Sequence, residues 1–296
     1  MDARAATICI CTRDRPQALT ATLASIERSE HQVSSVVVSD DGLSPDTRAV
    51  ATRSSLPVTF TTGPRQGLAA NRNHALSLVE TPFLVYLDDD CHFSATFLTA
   101  AFRCMAAGEK IHGLGHVVVT GRERRLGSII EASDQSFCGF QKKPYRPDDN
   151  LRSIVINSTV FPTALVRSLK FDERLRYGYE EVELATRIVA SGATIVGCST
   201  AVNDHFPSGI GRADYEYDAT VSRLYATWKR YAFTERRRAR AVAFVAVAPT
   251  HAIMSGLKSR GVRGAIDAAR AAADASRFAR DARRDVRRHN TVGPET

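Results

Sequence analysis

Short apolar runs that each end on acidic or polar residues, with stretches of helical periodicity between them, constrain this chain more than anything else in its sequence. Thr7 to Cys11 reads as a strand, and a helix starts where Asp14 precedes Pro16, with Leu19, Leu23 and Ile26 on one face. Val36 to Val38 gives a second strand closing on Asp40, Asp41 and Gly42. Val58 to Phe60 gives a third, before loop signals at Gly63, Pro64 and Gly67 and a helix from about Leu68 to Val79. The run Phe83, Leu84, Val85, Tyr86, Leu87 is a fourth strand, and it closes on Asp88, Asp89 and Asp90. This alternation predicts an α/β chain with a parallel, Rossmann-like sheet covered by helices on both faces. Ligands of open α/β sheets sit outside the carboxyl ends of the strands, so Thr12 to Arg15, Asp40 to Asp41 and Asp88 to Asp90 cluster where a site forms.

Three adjacent carboxylates repel one another, and a divalent cation with hard oxygen ligands relieves that repulsion beside a phosphate-bearing substrate. An acidic turn at the start of the helix through Phe97, Ala101 and Phe102 explains the same window without a ligand. In the second half, strands are expected at Leu114 to Val119 and Ile154 to Phe161. The polar stretch from Gly121 to Asn150 predicts long loops around a site. A helix from about Tyr179 to Ser191 stops at Gly192, carries Glu180, Glu181 and Glu183 in its first turn, and leads to a strand at Thr194 to Val196. Gly209 and Gly211 flank an expected closing loop, Ser208 to Tyr217. Trp228 and Tyr231 read as packing residues.

With 296 residues, 44% of them apolar, the chain can bury a large core. The six cysteines show neither a CxxC pair nor zinc-ligand spacing, so free thiols in a reducing compartment are expected. Met1 to Thr7 holds no long apolar run, so the chain is expected to face the cytoplasm, with peripheral contact at the inner face of the membrane as the open question. The net charge of +8 is uneven: residues 230–296 carry fifteen Lys or Arg against six Asp or Glu, a local +9 that leaves about −1 for residues 1–229. A domain over 1–229 and a basic helical C-terminal extension over 230–296 follow. Interleaved aromatics are nearly absent from the extension, which argues against nucleic acid and for an anionic membrane surface. Its stretch from Ala239 to Leu257 is interrupted by Pro249 and His251 and is too weakly apolar to predict a span. Beyond it Asp267, Asp274 and Asp281 recur every seven residues, as do Arg270, Arg277 and Arg284, the pattern of a helix with paired charges.

Five segments in order, ICICTRDRP at Ile8 to Pro16, VVVSDDG at Val36 to Gly42, GLAANRNHAL at Gly67 to Leu76, YLDDD at Tyr86 to Asp90 and FDERLRYGYEEVELATRI at Phe171 to Ile188, together resemble the family 2 glycosyltransferases. The resemblance covers residues 6–206 and implies a GT-A type sheet flanked by helices. It implies transfer of a hexosyl or deoxyhexosyl group from a nucleoside-diphosphate donor (UDP, dTDP or GDP sugar), with Mn²⁺ or Mg²⁺ as cofactor and inversion at the sugar. Asp88 and Asp90 then take the DxD positions. Asp90 is the expected metal ligand, Asp88 reaches the ribose or a metal-bound water, Asp89 does either, and His205 completes the metal site. Thr12, Arg13, Asp40 and Arg72 are expected around the nucleotide, Arg72 on phosphate and Asp40 on base or ribose, although Asp40 also reads as a turn residue before Gly42. Glu181, beside Glu180, is the expected base; the family has Asp at that position, so the side chain here is one methylene longer. The acceptor is expected to be a lipid-linked or cell-envelope glycan. A small secondary metabolite is the alternative, and a degenerate nucleotide- or glycan-binding protein is a third reading. The residues after Ile10, CTRDRP, lack the Gly-rich cradle of a sugar nucleotidyltransferase.

Overall fold

The structure is a computed structural model, and it describes residues 5–146, 149–207 and 215–291. The first half realises the predicted alternation: β1 (Ala6–Thr12), α1 (Pro16–Ile26), β2 (Ser35–Asp40), α2 (Pro45–Arg53), β3 (Val58–Thr62), α3 (Leu68–Ser77) and β4 (Phe83–Asp88). A two-residue β5 (Cys91–His92) and α4 (Phe97–His112) follow. The rest comprises β6 (Val117–Arg125), β7 (Ser128–Ile130), β8 (Ser133–Gln135), β9 (Gln141–Pro144), β10 (Thr159–Pro162), α5 (Thr163–Leu169), α6 (Glu180–Ala190), β11 (Thr194–His205), α7 (Glu216–Lys229) and α8 (Arg238–Thr291).

Nine strands form one sheet in the order β3-β2-β1-β4-β10-β6-β11-β5, with β7 added to β6. β1 lies parallel between β2 and β4, in a register that sets Thr12 opposite Asp40 and Cys11 opposite Asp88. Three acidic or polar strand ends therefore meet at one edge. β10 runs antiparallel to both β4 and β6, and β11 runs parallel to β6 as far as His205, which on its other side pairs antiparallel with Cys91 of β5. That last pairing carries the end of β11 back to the carboxylate triplet.

The period-two alternation of the strands divides the core. Ile8, Ile10, Val36, Val38, Val85 and Leu87 face α1 and α4, where Leu19, Leu23, Phe97, Ala101 and Met105 close over them. Cys9, Cys11, Val37, Leu84 and Tyr86 face the other side, against Leu184 and Ile188 of α6 and Leu224 and Tyr225 of α7. Each such Leu or Ile contributes roughly 1.5–3 kcal/mol by leaving water.

The structure corrects several expectations. The segment 121–150 is not mainly loop, because β6 continues to Arg125 and pairs with β7, while β8 and β9 form a hairpin. Charged residues and Gly121 mask that pattern; a Cβ at Gly121 would sit 2.1 Å from the Ala201 carbonyl oxygen, so only glycine lets β11 pass there. The strand expected at Thr194 to Val196 extends to His205 across an irregularity between Gly197 and Val202. The expectation of six free thiols fails as well: Cys104 of α4 and Cys198 of β11 form a disulfide, and Cys9, Cys11, Cys91 and Cys138 remain free. The partners are 94 residues apart and become neighbours only when α4 packs on β11, so no local spacing announces them. Most of the expected closing loop, including Ser208, Gly209 and Gly211, lies outside the described residues.

The division at 229/230 falls where α7 runs into a π turn, Arg230–Thr234, ahead of α8. α8 is broken at Arg260 and Gly261, the latter with φ of 63°. Its two legs, 238–259 and 262–291, fold together so that Gly256 and Gly264 meet; a Cβ on either would lie 2.3 Å from the other's carbonyl oxygen. Phe244, Ala248, Ala271, Ala275 and Ala282 join the same core as Tyr225, Trp228 and Tyr231, so Trp228 and Tyr231 are packing residues.

Candidate active site

The register of β1, β2 and β4 gathers the donor-side candidates, and buried polar contacts hold them. Asp88 is clamped twice by Asn157, which accepts from the Asp88 backbone N–H at 2.8 Å and donates Nδ2 to its Oδ2 at 3.0 Å. Thr12 Oγ1 donates to Asp89 at 2.6 Å, and Arg15 donates to Asp89 at 2.5 Å and to Asp90 at 3.1 Å. Burial pushes Asp89 up to about 7, against the pull of Thr12 and Arg15. Asp40 is buried and uses Oδ1 to accept the backbone N–H of Gly42 at 2.8 Å and of Asp14 at 3.2 Å, so it ties two strand-end loops together as a turn residue does. Arg13 is exposed at the rim of this edge.

Arg72, expected on phosphate, is only 2% exposed and sits between two carboxylates, donating to Glu180 at 2.6 Å and to Asp88 at 3.1 Å. A guanidinium locked in this way has little reach toward a ligand. Its place on α3, beneath the ends of β4 and α6, makes it the link between the strand-end acids and the first turn of α6.

On the other flank, Asp90 Oδ1 and His205 Nε2 are 3.2 Å apart, and these atoms together with Cys91 Sγ lie within 4.8 Å of one another. Glu123 Oε2 is 2.9 Å from His205 Nδ1. Burial alone would lower the His205 pKa, but its hydrogen bonds to Asp90 and Glu123 raise it to about 9. Burial likewise works against Asp90, yet His205 holds it down at about 2. A positive imidazolium thus bridges two carboxylates where a cation fits. Glu123 on Nδ1 leaves Nε2 as the ligating nitrogen, and a carboxylate with an imidazole suits Mn²⁺. The Cys91 thiol is buried and its pKa is raised well above the usual value, which keeps it a thiol rather than a soft thiolate ligand.

α6 starts on Tyr179 with left-handed φ of 65° and presents Glu180 and Glu181 from its first turn. Glu180 Oε1 takes Arg72, while its Oε2 is buried with no hydrogen-bond partner. Glu181 is half-buried, and desolvation followed by the neighbouring Glu180 charge pushes its pKa up to about 8. The pair therefore divides its work: Glu180 anchors the helix start to the sheet edge, and Glu181 keeps a carboxyl poised near neutral pH.

The sequence reading missed Asn157 and Glu123, and it placed Arg15 in the polar cluster after β1 without giving it a role. Asn157 does stand out as a polar residue within the apolar run from Ile154 to Phe161, and Glu123 alternates with Arg122 and Arg124 on a strand whose extent was misjudged. His74 bonds Thr61 at 3.0 Å, on α3. A larger open cleft of about 590 Å³ lies by Asp172, Arg174, Arg187 and Lys229. Lys229 there pairs with Asp172 and with Glu183 of α6, each at 2.6 Å.

The sequence model of glycosyl transferase family 2 matches residues 7–174, more than half of the chain. The protein belongs to this family. Among solved structures, GalNAc-T7 with UDP, GalNAc and Mn²⁺ superimposes with a TM-score of 0.64 at 12% identity, covering 78% of this chain and 49% of that one. TarS 1–349 of S. aureus gives 0.52 at 15% identity, covering 93% and 92%. The mannosyltransferase PcManGT of Pyrobaculum calidifontis, in complex with GDP-Man and Mn²⁺, gives 0.56 at 15%, covering 92% and 85%. At these identities the likeness is one of fold. This family 2 chain spans about half the length of the first two structures matched, 49% and 45%. No curated protein matches its sequence.

Proposed function

We propose that this family 2 chain is an inverting, metal-dependent glycosyltransferase that moves one sugar from a nucleoside-diphosphate donor to an acceptor hydroxyl. The observation that carries the reading is the approach of Asp90 and His205 to 3.2 Å, with Glu181 across the Asp88–Arg72–Glu180 link. Asp90 and His205 would hold Mn²⁺ or Mg²⁺, with Asp88 and Asp89 beside them. When bound, the cation supplies charge neutralisation for the diphosphate leaving group. In the proposed step the acceptor oxygen attacks the anomeric carbon, its proton passes to Glu181, and the bond from that carbon to the diphosphate oxygen breaks with the electron pair staying on the diphosphate. One displacement inverts the sugar. The binding of UDP and GDP-Man by structures of the same fold supports a nucleoside-diphosphate donor.

The test is a donor panel of UDP, dTDP and GDP sugars with glycan acceptors, followed by NMR of the product. The expected result is metal-dependent release of one nucleoside diphosphate and a product whose anomeric configuration is opposite to that of the donor. Retained configuration would overturn the single displacement.

A lipid-linked acceptor at a membrane surface is the finer part of the proposal. Val242, Met254 and Val262 are 72%, 61% and 70% exposed on α8, among the basic residues that give the extension its charge. By length and composition alone the helix Arg238–Asp285 is long and apolar enough to cross a membrane. Its break at Arg260 and Gly261, and its packing through Phe244 and Ala248, favour lying along a surface instead. The chain is expected to float with anionic vesicles at low salt, and a V242D/M254D/V262D triple variant is expected to stay in the pellet fraction. Absence of flotation by wild type would favour a small soluble acceptor.

A further inference from the structure

Beside the start of α6 lies a groove of about 270 Å³, close to the lower end of small-molecule pockets at about 300 Å³. Phe140, Tyr179 and Arg223 line it together with the folded α8 legs, and its two carboxylates, Glu216 and Asp267, both pair with Arg260, at 3.6 and 3.4 Å. Arg223 of α7 is its unusual member. The side chain is 5% exposed, donates Nη1 to the Cys138 carbonyl at 2.6 Å and stacks its guanidinium 4.2 Å from the centre of the Phe140 ring. Among the described residues no carboxylate lies within ion-pair distance of it. Other buried arginines do have such partners: Arg72 has Glu180 and Asp88, and Arg230 has Glu235 at 2.6 Å.

A buried cation without a counter-ion is costly, and burial accordingly lowers the Arg223 pKa. Tyr179, a titratable side chain of the same groove, has its phenol pushed up to about 12 by burial and so carries no charge to offset it. Tyr179 in turn feels both Arg223 and Glu181, so the groove opens next to the proposed base. Tyr179 is itself the left-handed cap immediately before Glu180.

We propose that this groove is an acceptor subsite in which Arg223 holds an anionic group, a phosphate or a carboxylate, of the incoming sugar. The word acceptor rests on the glycosyltransferase reading; the anion site stands apart from it. Phe140 backs the Arg223 guanidinium, Tyr179 offers an aromatic face to the sugar, and the α8 legs supply a wall, which gives the extension a part in the site. A phosphate would point to a phosphorylated or lipid-phosphate acceptor, and a carboxylate to a uronic acid.

The experiment is calorimetric titration of the full chain with glucose 6-phosphate, glucuronate and methyl glucoside in EDTA. Without a cation the Asp88 to Asp90 cluster repels anions, so the titration does not report the donor site. At least one anionic sugar is expected to bind wild type about tenfold or more tighter than methyl glucoside. The better of the two names the acceptor's charge. Arg223→Met is expected to erase the gap and Arg223→Lys to keep part of it. Ala219→Glu sets a carboxylate one helical turn before Arg223, and is expected to raise the melting temperature while blocking anionic sugars. Equal binding of neutral and anionic sugars by wild type would overturn the proposal, as would a preference that survives in Ala219→Glu. If nucleoside diphosphates with Mn²⁺ fail to bind while the anionic preference persists, the transferase reading falls and the anion site remains.

Discussion

Glu181→Gln is expected to lower turnover by about 10²- to 10⁴-fold, the range of a positioned general base, while leaving nucleotide affinity unchanged. The substitution keeps the side chain's size and removes only its capacity to take the acceptor proton. Glu181 also sets the pH dependence. Its folded-state pKa is raised to about 8 by burial and by Glu180, so the free protein is mostly protonated at neutral pH, and the basic form grows as pH rises through 8. In wild type kcat/KM is expected to climb with pH along an acid limb centred near 8. Glu181→Gln should lose that limb, leaving a low, flat profile. A variant that retains both the limb and the rate would remove Glu181 from the mechanism. Glu180→Gln would then become the next variant to measure, since its unpartnered Oε2 is the neighbouring carboxylate oxygen.

Arg72→Met is expected to destabilise the fold by about 3–5 kcal/mol, the cost of stranding a buried charge by removing its partner. Arg72 and Glu180 are both buried, and their 2.6 Å contact is the main tie between α3 and the first turn of α6. Lysine is a poor substitute, because one ammonium cannot span the Glu180 and Asp88 oxygens as a planar guanidinium does. In urea unfolding, Arg72→Met combined with Glu180→Gln should lose less stability than the two single losses added, because the double change removes the buried Glu180 charge and leaves only the more exposed Asp88, still bonded by Asn157, without its cation. A loss below about 1 kcal/mol for Arg72→Met would mean that the pair behaves as a surface salt bridge, contrary to its burial.

The half of the fold that the sequence foretold is the half governed by local rules. β1 to β4 and the helices between them obey hydrophobic period and turn chemistry, and their carboxylate ends are visible because acids follow apolar runs directly. The acidic first turn of α6 is visible for the same reason. What escaped depends on neighbours distant in sequence. The Cys104–Cys198 bridge and the Asn157 clamp on Asp88 exist only after packing, across separations of 94 and 69 residues. The resemblance places Arg72 near the nucleotide phosphate, and what the sequence does not show is the pair of carboxylates, Glu180 and Asp88, that hold it. β6 and the later part of β11 escaped for a local reason, since Gly121, Arg122 and Arg124 break the apolar pattern where the strand leaves the core.

The most direct test of the metal-bridged donor site is a thermal-shift series of UDP, dTDP and GDP, each with Mn²⁺ and with EDTA, on wild type and Asp90→Ala. The account predicts that one diphosphate raises the melting temperature of wild type only when Mn²⁺ is present, and that Asp90→Ala, although folded, shows no such rise. Stabilisation that is equal in EDTA, or that persists in Asp90→Ala, would contradict a site built on Asp90 and His205.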